Sequence, residues 1–149
     1  MKKTEIRGII TPILTPMFPD ERINEEELRA HVERMIAGGV HGIFALGTNG
    51  ESYALTPEEK ERILTVVIDQ TAGRVPVFAG TGCVTTKETV EMSRRAQELG
   101  ADVLSVITPW FAAASQEELY IHFATVAEAV DLPIILYNIP ARTGNALAP

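Results

Sequence analysis

At 149 residues the chain fits a single domain spanning 1–149, which can bury roughly two-thirds of the surface its unfolded form exposes. With 46% hydrophobic and 22% charged residues it is neither a disordered chain nor a coiled coil, and twenty acidic against thirteen scattered basic residues, net −7, disfavour binding to nucleic acid. No apolar stretch approaches the roughly 20 residues of a membrane span, no signal-peptide core follows Met1-Lys2-Lys3, and the single Cys83 forms no internal disulfide, so no membrane partner and a cytoplasmic setting are expected.

Gly8 to Pro16 is apolar and β-branched enough for a first strand, with Pro12 removing a ladder donor and pointing to an edge or a bulge. Asn24, with Glu27 three residues on, offers a helix N-cap, and Leu28, Val32, Met35 and Ile36 recur at helical spacing until Gly38-Gly39. A second strand near Gly42 to Leu46 stops in Gly47-Thr48-Asn49-Gly50-Glu51-Ser52, a turn whose hydroxyl, amide and free backbone N–H groups suit a small anion. Thr56-Pro57-Glu58-Glu59 opens a second helix with cap, N1 proline and acidic first turn, Ile63, Val66 and Val67 forming its apolar face and Gly73 its stop.

Val75 to Ala79 is a third strand ending in Gly80-Thr81-Gly82-Cys83, and a third helix from about Thr86 to Leu99 buries Met92, Ala96 and Leu99. Asp102 to Ile107 is a fourth strand running into Thr108-Pro109-Trp110-Phe111. Ser115 with Glu118 then caps a fourth helix whose buried face is Leu119, Phe123, Val126, Ala127 and Val130. Pro133 introduces a fifth strand, Ile134 to Asn138, followed by Ile139-Pro140-Ala141-Arg142-Thr143-Gly144.

Strand starts about every 30 residues with a helix between them call for right-handed βαβ units and a parallel sheet, α/β in class, with about five strands and four helices. Two architectures accommodate that order: an open doubly wound sheet, complete at this length, and part of a (β/α)8 barrel. The polar side chains gathered after three strands favour the partial barrel, because a barrel collects its chemistry from many strand ends.

Those side chains suggest a site for a small carboxylate. Thr48 and Asn49 can hold one acid group, Tyr137 offers a phenol that can donate or accept a proton, and Arg142 can fork onto a second anion. Each has a plainer reading: turn chemistry for the glycine stretch, a core residue for Tyr137, a surface ion-pair partner for Arg142. His31, His41 and His122 show no metal-ligand spacing, with His31 and His122 expected partly exposed on helices, so neither metal nor other cofactor is expected. Gly80-Thr81-Gly82 falls short of the dinucleotide and P-loop fingerprints, and Cys83, with no basic neighbour, reads as an inert thiol.

Taken in order, Gly47 to Ser52, then Thr108 to Phe111 with Ser115 to Phe123, then Tyr137 to Gly144 resemble the dihydrodipicolinate synthase/N-acetylneuraminate lyase family, from about Gly8 to the last residue. The resemblance implies a (β/α)8 barrel enzyme that binds pyruvate or a related 2-oxo acid as a Schiff base on a lysine. Carried over by position, Thr48 and Asn49 hold the 2-oxo acid carboxylate, Thr48 joins a proton relay, Tyr137 is the general acid/base, and Arg142 grips the aldehyde partner. Two positions depart from the synthase pattern: Phe111 replaces a relay tyrosine, and Asn49 replaces a threonine, as in the sugar-acid aldolases.

The family's lysine lies on a sixth strand, beyond Pro149, and Lys2, Lys3, Lys60 and Lys87 are not placed to substitute for it. The expectation is an amino-terminal part of a barrel, inactive alone, that forms a homo-oligomer or associates with the remaining part through its open edges. The alternative is a non-catalytic 2-oxo-acid-binding or oligomerisation module built on a complete open sheet.

Overall fold

The computed structural model describes residues 6–149, so Lys2 and Lys3 lie outside the described residues. The elements run β1 (Ile10–Pro12), α1 (Glu25–Ala37), β2 (Gly42–Ala45), α2 (Pro57–Thr71), β3 (Val77–Gly80), α3 (Thr86–Leu99), β4 (Val103–Ile107), α4 (Gln116–Glu128), β5 (Ile134–Tyr137) and a single-turn α5 (Pro140–Thr143). A 3-10 turn, Ser52–Ala54, precedes α2. No helix among the described residues is long and apolar enough to cross a membrane.

All five strands are parallel and lie side by side in chain order, β1-β2-β3-β4-β5. A doubly wound sheet reverses its strand order at a switch point; this order never reverses, and α1 packs on α2, α2 on α3 and α3 on α4. The sheet is therefore an arc of a (β/α) barrel, and the open doubly wound alternative is set aside. The strands are shorter than their apolar runs, above all at the start, where three residues pair out of the nine from Gly8 to Pro16.

Alternate strand residues face opposite ways. Ile43, Ala45, Val77, Ala79, Leu104 and Val106 pack against Val32, Ile63, Val67, Ala96 and Val126 in one core between sheet and helices. Each large aliphatic side chain taken out of water there contributes about 1.5–3 kcal/mol. Phe44, Gly80, Ser105, Ile107 and Tyr137 share the inner face, with Phe44 and Tyr137 in edge-to-face contact at 6.3 Å.

The helix starts follow their sequence signals. Thr56 and Ser115 each accept from the backbone N–H three residues on while Glu59 and Glu118 reach back, two complete capping boxes. Asn24 accepts from the Glu27 N–H, but the Glu27 carboxylate goes to Arg34, so that box is half made. The second helix stops one residue before Gly73, because Ala72 already takes a left-handed conformation, φ 48°.

Two burial expectations on α4 fail. Ala127 is exposed: the buried face of α4 is carried by Leu119, His122, Phe123 and Val126, and Ala127 falls outside it. His122, expected partly exposed, is 3% exposed, with Nδ1 2.9 Å from the Thr86 hydroxyl and its ring edge-on to Phe123.

Candidate active site

The turn after β2 is shaped by strain at both ends. Buried Leu46 (φ 61°) and Glu51 (φ 53°) both take the left-handed region, which costs a non-glycine residue about 1–2 kcal/mol and is seen where a loop must aim its side chains. Leu46 directs its carbonyl across β3, and only a glycine fits beneath it: a Cβ on Gly80 would stand 2.1 Å from that oxygen. The Thr15 hydroxyl ties the far side by donating to the Gly50 carbonyl at 2.8 Å.

Fewer N–H groups are free in this turn than its glycines suggest. Those of Gly50 and Glu51 donate to the Gly47 and Thr48 carbonyls at 3.1 Å. The N–H groups of Thr48 and Asn49 make no hydrogen bond among the described residues, and these remain for an anion.

Parallel pairing sets Ile107 beside Tyr137, and the Thr108 N–H donates to the Tyr137 carbonyl at 3.3 Å, so the loops after β4 and β5 leave the sheet together. The Tyr137 hydroxyl reaches across the inner face to within 3.3 Å of the Thr48 Oγ1, with either atom able to donate. The two residues share a small hollow floored by Gly80, Ser105 and Ile107. Above it opens a cleft of about 620 Å³, bordered by Leu14, Thr48, Asn49, Trp110, Arg142 and Thr143.

Arg142 reaches the cleft from α5, a turn of helix for which the sequence analysis names no element; Pro140 starts it and Gly144, φ 75°, ends it. Arg22, Arg29, Arg34, Arg62, Arg74 and Arg95 are all held by carboxylates. No carboxylate among the described residues forms an ion pair with the Arg142 guanidinium, so the surface ion-pair reading does not apply; Arg142 borders the cleft, as does the Glu51 side chain.

The structure thus brings Thr48, Asn49, Tyr137 and Arg142 together. It does not bring Phe111 to them: that ring is 97% exposed, on a backbone with φ 80°, and borders neither the cleft nor the hollow. Lys60 lines an adjoining groove of about 440 Å³ that shares Tyr53 and Trp110 with the cleft and also holds Cys83 and Arg95, and Lys87 pairs with Glu91 on the surface of α3. Burial pushes the Cys83 thiol above its ordinary pKa, which keeps it protonated. Among the described residues no His, Cys, Asp or Glu cluster is placed to hold a metal ion.

The sequence reading missed Leu14 and Asn145. Leu14 follows the first strand and carries no polar signal. Asn145 sits in an unpatterned tail and lies within the fold at 3% exposure.

Comparison with known proteins decides the lineage. Residues 5–149 match the model of the dihydrodipicolinate synthetase family. The chain belongs to that family. It is 46% identical over 146 residues to the 4-hydroxy-tetrahydrodipicolinate synthase of Methanopyrus kandleri, covering 97% of this chain and 49% of that one. Identity to a Thermus thermophilus 4-hydroxy-tetrahydrodipicolinate synthase is 49% over 144 residues, covering 96% and 48%. The fold superposes with TM-score 0.95 on the Acinetobacter baumannii dihydrodipicolinate synthase solved in complex with pyruvate, at 41% identity over 97% of this chain and 50% of that one. The chain spans about half the length of these relatives.

Proposed function

We propose that this chain supplies the 2-oxo-acid-binding part of a Schiff-base lyase that acts on pyruvate or a related acid. The observation that carries the reading is the 3.3 Å approach of Thr48 and Tyr137 beneath a cleft whose wall holds Arg142 without a carboxylate partner. Thr48 and Asn49, through hydroxyl, amide and free N–H groups, take the acid's carboxylate. Tyr137 moves protons beside the oxo carbon, and Arg142 receives the carboxylate of an aldehyde partner.

The chemistry asks for an amine. Its addition to the oxo carbon and loss of water give an iminium, which draws electrons from the neighbouring carbon; loss of a proton there leaves an enamine that attacks the aldehyde. Neither described lysine borders the cleft, so in this reading the amine comes from outside the described residues, and the 149-residue chain binds the acid without turning it over. Phe111, where the synthases carry a tyrosine, brings no hydroxyl to a relay.

Borohydride reduction in the presence of pyruvate, followed by intact-mass measurement, tests the reading. Pyruvate binding without a covalent adduct is expected, and an adduct on this chain would overturn the assignment of the amine. A second reading, a non-catalytic 2-oxo-acid-binding module, draws on the same observation that neither described lysine borders the cleft. The two separate when the carboxyl-terminal half of the Methanopyrus kandleri relative is added in trans, since only a lyase part then yields a trapped adduct and turnover. A homo-oligomer, or association with the rest of a barrel, belongs to the same proposal, because β1 and β5 each have a neighbour on one side only.

A further inference from the structure

The segment between β4 and α4 has no secondary structure, yet it carries Trp110 into the wall of the cleft. What fixes it is one side chain. Asn145 donates through Nδ2 to the Pro109 carbonyl at 2.8 Å and to the Ala112 carbonyl at 2.9 Å, and its Oδ1 accepts from the Ala114 N–H at 2.8 Å. Among the described residues, every hydrogen bond made by the backbone of residues 109–114 ends on this amide. Only one orientation of the amide works, since a flip would set its oxygen against both carbonyls and its NH2 against an N–H.

The clamp reaches the opposite wall through the backbone of the same residue. The Thr143 hydroxyl donates to the Asn145 carbonyl at 3.0 Å, and it accepts from the Asn145 N–H at 3.2 Å and from the Thr108 hydroxyl at 2.8 Å. Thr143 adjoins Arg142 on α5, and both border the cleft. Within the clamped span, Phe111 holds its left-handed conformation between the two anchored carbonyls. Trp110 and Arg142, from loops after different strands, are thereby tied to one another by a buried polar junction in which Thr143 uses its one donor and both of its acceptor positions.

We propose that Asn145 is a positioning residue: it sets the distance between the Trp110 wall and the Arg142 wall, and so the width of the passage by which a second substrate reaches Arg142. The meaning of that width rests on the functional reading above, whereas the placement of Trp110 is measurable with no ligand at all. A side chain that only supported the fold would, when removed, lower the melting temperature and leave native Trp110 unchanged. A positioning side chain moves Trp110 in the folded protein.

Trp110 is the only tryptophan, so its fluorescence reports the clamp directly. For Asn145→Ala, and for Asn145→Asp, which keeps the acceptor and loses both donors, the expected result is an unchanged far-ultraviolet circular dichroism spectrum. Trp110 emission should be red-shifted and its acrylamide quenching constant should rise about twofold. Gln116→Ala, which removes bonds to the Ala146 carbonyl and the Ala148 N–H on the other side of the tail, should leave Trp110 as in the unmutated chain. Unchanged emission and quenching in both folded Asn145 variants would overturn the proposal. Should neither variant fold, amide exchange in the unmutated chain decides: Ala114 is expected to exchange markedly more slowly than Ala112 and Ala113, and equal rates sink the clamp.

Discussion

Thr48 and Tyr137 are separated by 89 residues of chain and by 3.3 Å of space, their hydroxyls facing one another across the inner face of the sheet. The pair makes different demands on its two members. Thr48 also borders the open cleft, whereas Tyr137 lies in the hollow below.

Replacing Thr48 by Val should therefore cost pyruvate affinity directly. A hydrogen bond to a charged group is worth about 1.5–3 kcal/mol, which corresponds to a loss of roughly 10- to 150-fold. Tyr137→Phe should change affinity by no more than about threefold if, as proposed above, its hydroxyl serves proton movement more than carboxylate binding. Calorimetric titration of both variants checks this, and equal losses would remove the division of labour.

Arg142 is exposed and has no ion-pair partner among the described residues, so Arg142→Ala should alter stability by no more than about 0.5 kcal/mol, within the range of ordinary surface substitutions. Its loss should be felt by ligands with a second carboxylate. Binding of a small dicarboxylate is expected to weaken by about tenfold or more while pyruvate binding holds, with the dicarboxylate's salt dependence disappearing too. A variant that loses both ligands equally would place Arg142 in the pyruvate site instead.

The elements were legible because local chemistry spells them. Thr56 and Ser115 with their N3 glutamates, and the apolar spacing through Ile63 and Val67, act within a few residues. Thr48, Asn49, Tyr137 and Arg142 could be picked out because each ends or follows an apolar strand. Asn145 could not, since its three partners lie more than thirty residues back, in a segment with no pattern of its own. Ala127 misled for the opposite reason: helical spacing marks a flank as apolar without saying whether anything covers it. Spacing along the chain left barrel and open sheet undecided; the polar side chains after three strands pointed to the barrel, and the unreversed strand order bears that out.

His122 gives stability a pH dependence whose sign follows from its surroundings. Burial holds its imidazole below the ordinary value; among the described residues its Nε2 has no hydrogen-bond partner, and its Nδ1 lies 2.9 Å from the Thr86 hydroxyl. The folded state keeps it neutral while the unfolded chain takes up a proton below about pH 6.5, so stability is full above that pH and declines as pH falls further. His31, also lowered mainly by burial, acts in the same direction. His122→Leu should therefore flatten part of the decline between pH 6.5 and 5 in thermal melts, leaving the share due to His31. An unchanged slope would mean that His122 reaches solvent in the native state.

The two sheet edges are not equally available. β1 pairs over three residues and ends in Pro12, which has no N–H to offer, so this edge is blunted. β5 has four residues, no proline, and Leu136 53% exposed on its outer face. An apolar edge of this kind invites another strand, and a lysine in it both repels a second copy and keeps the backbone solvated. Leu136→Lys is thus expected to shift the protein from associated to monomeric in light scattering at micromolar concentration, with its circular dichroism retained. Ile9→Lys, beside the blunted edge and already 66% exposed, should do little. If Leu136→Lys associates as strongly as the unmutated chain, β5 is not the contact, and self-association has to be sought on the helical face.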